Sequence, residues 1–159
     1  MPDRSLLDRF LLTVALVGIL AGSLVACAAE VGPSGSPPGG AISGLAGTSW
    51  IVVSVDGRSP VAGAVPTATF DAVRVSGTGG CNQYGGPYRL DPSTGQLGVG
   101  ELVSTDMGCL GAGVSAFETT YLRALGGATQ AKLDPLGQLV LSGATGRIVL
   151  VRLEHPAVP

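Results

Sequence analysis

Three cysteines, Cys27, Cys81 and Cys109, are the residues of this 159-residue chain best suited to chemistry. A thiolate is a strong nucleophile and a metal ligand, so each can serve group transfer, redox exchange or coordination. The residues that would support such chemistry are scarce. The one histidine, His155, stands beside Pro156 near the C-terminus, and no serine sits in a nucleophile elbow, so a Ser-His-Asp triad has no frame. No Cys-x-x-Cys pair occurs, and scattered carboxylates with one histidine offer no zinc or calcium spacing. Gly77-Thr78-Gly79-Gly80 is glycine-dense, but no Gly-Lys-Ser/Thr follows and it leads into a strand, which argues against a phosphate loop. We therefore assign no catalytic residue, cofactor or metal ligand, and read the chain as non-enzymatic.

Cys27 has a context of its own. It follows an apolar run from Phe10 to Ala26 that ends on Leu24-Val25-Ala26, behind a short charged start. An apolar core of about 7–15 residues after such a start is the pattern of a secretory leader. The Leu-x-Ala-Cys ending resembles the bacterial lipobox, whose cysteine takes a diacylglyceryl thioether and becomes the first residue of the mature protein. Cys27 is thus the expected lipidation site and residues 1–26 the expected signal peptide. The competing reading is an uncleaved anchor, since Phe10–Ala29 is twenty residues, enough for one membrane-spanning helix. Arg4 and Arg9 are offset by Asp3 and Asp8, leaving mainly the terminal amine as positive charge. Either reading places residues 28 onward outside the cytoplasm, on the extracytoplasmic face of a cell membrane.

Giving Cys27 to lipid leaves Cys81 and Cys109 as a pair, and outside the cytoplasm such a pair usually forms a disulfide. Closing a loop of that length stabilises a fold by about 3.6 kcal/mol in the chain-entropy model. A thiol-dependent envelope enzyme centred on either cysteine is the alternative. The formal charge is −2, the leader's charges cancel, and Lys132 is the only lysine, so nucleic acid is a poor partner. The expected partners are the lipid bilayer, through Cys27, and an envelope protein or small ligand; the domain is read as a monomer.

The elements that must position these residues are mostly strands. Twenty-six glycines and eleven prolines with few charges suggest many turns. Residues 27–44, with Gly32-Pro33-Ser34-Gly35-Ser36-Pro37-Pro38-Gly39-Gly40, read as a lipidated N-terminus and solvated tether. From residue 45 to 154 a single domain is expected, followed by a tail at 155–159. Thr48–Val55 reads as a first strand, Asp56-Gly57 as a turn, and Val65–Val75 as a hairpin with its tip at Asp71-Ala72. Leu97–Leu102 is a short strand, and Lys132–Asp134, Gln138–Leu141 and Arg147–Leu153 are closing strands. Ser115-Ala116-Phe117-Glu118 has the form of a capping box, with Phe117, Tyr121, Leu122 and Leu125 on one helical face and Gly126-Gly127 as a positive-φ stop. The expected fold is mainly β with one α-helix: an antiparallel curled sheet or partly open barrel with the helix plugging one end.

Gly47-Thr48-Ser49-Trp50, then Phe70-Asp71, then Gly80-Cys81-Asn82-Gln83-Tyr84, Thr105-Asp106-Met107-Gly108-Cys109 and Glu118 with Tyr121–Leu125 together resemble the META, or HslJ-like, domain over roughly residues 45–153. The resemblance implies a compact β-rich fold with a helix, frequent export as a bacterial lipoprotein and no established catalysis. Relatives carry links to stress, which suggest a stress-related binding or interaction module. If instead the domain carries a small ligand, Trp50, Tyr84 and Tyr88 at the barrel mouth are the candidate surface. Core packing is the competing reading of Trp50, and capping of backbone groups in a turn is the expected role of Asn82.

Overall fold

The computed structural model describes residues 42–154; Cys27, the leader, His155 and nearly all of the expected tether lie outside them. Nine strands and one helix follow in order: β1 Thr48–Val55, β2 Thr67–Phe70, β3 Arg74–Thr78, β4 Gln83–Leu90, β5 Leu97–Val99, β6 Val103–Ser104, α1 Val114–Gly126, β7 Gln130–Leu133, β8 Leu139–Gly143 and β9 Gly146–Arg152. Every pairing is antiparallel, and the sheet runs β5-β4-β3-β2-β1-β9-β8-β7, with β6 also on β4. Its two ends meet: Leu97 N donates to Thr129 O at 3.0 Å and Ala131 N to Gly95 O at 2.9 Å. The result is a nearly closed barrel, as the strand pattern leads one to expect.

Side-chain alternation fills that barrel. Trp50 and Val52 of β1, Ala68 and Phe70 of β2, Val75 of β3, and Tyr84 and Tyr88 of β4 all point inward. Strict alternation along β1 would next bury Ser54. A bulge between Val52 and Ser54 shifts the register against β9 and turns Val55 inward instead. Ile42 and Leu45 are also in the core, Ile42 three residues ahead of the expected domain start at residue 45.

α1 packs on β9, β1 and β8 and closes one end of the barrel. Its buried stripe is Val114, Glu118, Tyr121, Ala124 and Leu125, with Phe117 and Leu122 only half-buried at its flank. The capping box is not formed. Gly113 is the N-cap with φ 84°, no side chain caps the helix, and Glu118 turns inward rather than back to the first turn. The C-terminal stop also differs, because Gly127 has φ −101°. Glycine is required there by proximity: a Cβ would overlap the Thr145 side chain.

Leu97–Leu102 is not one strand. It breaks after Val99, where Gly100 N donates to Pro87 O at 2.9 Å, and pairing resumes at Val103. Among the described residues, no helix is long and apolar enough to cross a membrane.

Candidate functional site

The glycine run between β3 and β4 does steric work. A Cβ on Gly79 would strike the Glu118 side chain, with Cγ at 2.7 Å, and one on Gly80, at φ +111°, would lie 2.6 Å from Ala64 O. These two absences of side chain let the Cys81-Asn82 backbone approach the helix. There Glu118, only 6% exposed, accepts three N–H bonds: Asn82 N at 2.7 Å and Cys81 N at 3.3 Å on Oε1, and Asn82 Nδ2 at 2.8 Å on Oε2. Both oxygens act purely as acceptors, the arrangement an ionised carboxylate satisfies.

Asn82, 7% exposed, extends the network beyond its own turn. Its Oδ1 accepts from Met107 N at 2.7 Å and from Thr105 Oγ1 at 3.0 Å. Asn82 thus pins the strand-like 103–107 segment to the helix instead of capping its own turn. Cys81 and Cys109 are disulfide-bonded, with Cα atoms 5.6 Å apart, and the bridge sits against this network: Cys109 Sγ lies 3.7 Å from Glu118 Oε2 and 3.8 Å from Asn82 Nδ2. The ligand atoms of Cys81, Cys109 and Glu118 fall within 4.8 Å of one another. In the bridged state neither sulfur is a thiolate, so no cation-binding set exists. A shallow polar depression of about 460 Å³, lined by Asn82, Thr105, Met107, Cys109, Glu118 and Thr119 among others, opens beside the bridge.

The expected ligand-facing aromatics are placed differently. Trp50 is 3% exposed, its Nε1 donates to Thr48 Oγ1 at 2.7 Å, and Arg152 lies 5.7 Å from its ring centroid. Tyr84 donates to Thr67 O at 2.9 Å and shares a 2.6 Å bond with Tyr121. Tyr88 donates to Asp71 O at 2.8 Å and packs edge-on to Phe70 at 5.0 Å. All three are core residues whose polar ends are already paired; of them Tyr88 also lines two surface depressions of about 460 and 480 Å³, beside Leu45 and Leu90 in one and Pro87 and Val99 in the other. Burial pushes the hydroxyls of Tyr84, Tyr88 and Tyr121 above the usual tyrosine range.

Glu118 is the residue whose role the sequence hides. Its signal was its position: Val114, Glu118, Tyr121 and Leu125 share one helical face, and a lone acid on an apolar stripe needs partners.

The fold is a nearly closed antiparallel barrel with one docked helix, tied by a disulfide and a buried Asn-Glu pair. The chain belongs to the META domain family, whose model matches residues 43–155. It is similar to a protein from Burkholderia xenovorans solved by NMR, with 30% identity and a TM-score of 0.57 over 70% of this chain and 85% of that one. A second protein solved by NMR is 27% identical, with a TM-score of 0.54 over 67% of this chain and 89% of that one. No curated protein matches the chain.

Proposed function

We propose that this chain is a bacterial envelope lipoprotein: acyl chains on Cys27 hold it to a membrane, and its META domain acts outside the cytoplasm as a non-catalytic, stress-related interaction module. The observation that carries the reading is Leu24-Val25-Ala26-Cys27 at the end of an apolar run, followed by a Gly/Pro/Ser-rich stretch. The Gly/Pro/Ser-rich composition of that stretch suits a spacer between anchor and domain. A disulfide suits an oxidising compartment. A binding rather than catalytic role is supported by the hydrogen bonds that engage Glu118, the buried carboxylate, with backbone and amide donors in the oxidised chain. The stress-related part rests on the family resemblance alone.

The test is membrane partitioning of the wild-type chain and Cys27→Ala in a lipoprotein-processing bacterium. The wild type is expected in the membrane fraction and the variant outside it, with its acylation-dependent shift in gel mobility lost. Equal partitioning of both, with no mobility difference, overturns the anchor.

A further inference from the structure

We propose that Cys81, Cys109 and Glu118 form a redox-gated metal site: once a dithiol reduces the bridge, the two sulfurs and the carboxylate bind one thiophilic divalent cation of the Zn2+ kind. This goes beyond the anchoring function and does not rest on it.

The donor set is the first argument. Two thiolates and a carboxylate are ligands zinc accepts, and a three-ligand protein set leaves a fourth position open. Geometry is the second. On a tetrahedral ion with bonds of about 2.3 Å to sulfur and about 2.1 Å to oxygen, those two ligands stand about 3.6 Å apart. Cys109 Sγ and Glu118 Oε2 are already 3.7 Å apart. The Cys81 sulfur must part from Cys109 Sγ to about 3.8 Å and stand about 3.6 Å from the carboxylate oxygen by the same bond lengths, a small adjustment for ligand atoms that already lie within 4.8 Å of one another.

The surroundings are the third argument. A ligating carboxylate is oriented by hydrogen bonds from outside the ligand set. Asn82 N and Asn82 Nδ2 hold Glu118 here, and Met107 N and Thr105 hold Asn82 in turn. The polar depression beside Cys109 gives a water or exogenous ligand access to the fourth position. Electrostatics supplies the gate. Two thiolates beside a buried carboxylate would crowd three negative charges within 4.8 Å, an arrangement that favours a divalent cation. The disulfide carries no such charge.

The chemistry balances. The dithiol gives two electrons and two protons, its own sulfurs joining in a disulfide while Cys81 and Cys109 become thiols. The cation then displaces both thiol protons to solvent and forms two metal–sulfur bonds and one metal–oxygen bond.

The experiment uses the full chain carrying Cys27→Ser, so that Cys81 and Cys109 are its only thiols, in detergent micelles. After phosphine reduction and anaerobic desalting, Co2+ is titrated in and then displaced by Zn2+. One Co2+ per reduced chain is expected, with a sulfur-to-cobalt charge-transfer band that Zn2+ abolishes, and no band from the oxidised chain. Glu118→Gln is expected to weaken binding at least tenfold, using circular dichroism to confirm its fold. A reduced chain without the band, or an oxidised chain that binds equally well, overturns the proposal. So does a folded Glu118→Gln variant that binds undiminished. Should that variant fail to fold, the titration of the reduced parent chain decides alone.

Discussion

Glu118 and its donors concentrate the most consequence in the fewest atoms. Truncating Glu118 to alanine leaves the buried Asn82 amide without its main acceptors, and loss of a charged hydrogen-bond partner costs about 2–3 kcal/mol. The expected outcome is an unfolding free energy lower by that amount, read from a lower urea midpoint with an unchanged slope; a variant as stable as wild type would contradict the anchoring role. The tyrosines allow a second test at this scale. All three in the chain, Tyr84, Tyr88 and Tyr121, have hydroxyls pushed up by burial. Above pH ~10 an unfolded chain would lose those protons while the native chain keeps them, so native stability falls as pH rises. The slope approaches about 1.4 kcal/mol per pH unit for each fully protected hydroxyl. Ultraviolet titration should therefore show less phenolate at pH 10.5 in the native domain than in the urea-unfolded chain, with Tyr84 and Tyr121 the most protected, and a urea series from pH 9 to 11 should show midpoints falling. Phenolate absorbance with half the tyrosine at pH 10 would contradict the packing.

Elements show where local signals compete with tertiary ones. The helix was legible from its apolar spacing, and its end near Gly126 was too. Its start was not. Ser115 and Glu118 have capping-box spacing, but burial against Asn82 takes the glutamate, and the left-handed Gly113 supplies the N-cap. Ser115→Ala should then leave stability unchanged within about 0.5 kcal/mol, the scatter of exposed substitutions. Gly113→Ser, although it installs a favoured N-cap residue type, should cost about 1–2 kcal/mol because φ is 84°. Thermal unfolding of both variants checks the pair, and the reverse ranking would restore the capping box. β4 illustrates the same limit. Gly85-Gly86-Pro87 is made of residue types common in turns, yet it lies inside a strand, because a Cβ on Gly86 would be 2.8 Å from Leu102 Cδ2 and Pro87 still offers its carbonyl to Gly100. Such requirements exist only once the 100–104 segment is folded against β4, so sequence spacing could not display them. Most other strand positions, with the Asp71 and Asp56-Gly57 turns, were legible because hydrophobic alternation and turn chemistry agree there.

For the whole molecule, the disulfide and the closed barrel act together. The bridge joins residues 28 apart and ties the β3–β4 connection to the approach to α1. Removing it, as Cys81→Ser with Cys109→Ser, should lower stability by about 3.6 kcal/mol in the chain-entropy model, read from urea midpoints of oxidised parent and double variant. Equal midpoints would mean that the bridge leaves the unfolded chain unconstrained. The pairing was foreseeable from cysteine number once Cys27 is set aside. The buried state of Trp50, Tyr84 and Tyr88 was not, because an aromatic on a strand has the same sequence signature whether it faces core or ligand.

Membrane attachment through Cys27 is the claim on which the biological reading turns, and intact mass spectrometry of the protein extracted from membranes without reductant tests it most directly. The predicted product begins at Cys27, carries acyl mass on that residue and has no free thiol. A soluble product beginning at Met1 and bare of acyl groups would contradict it.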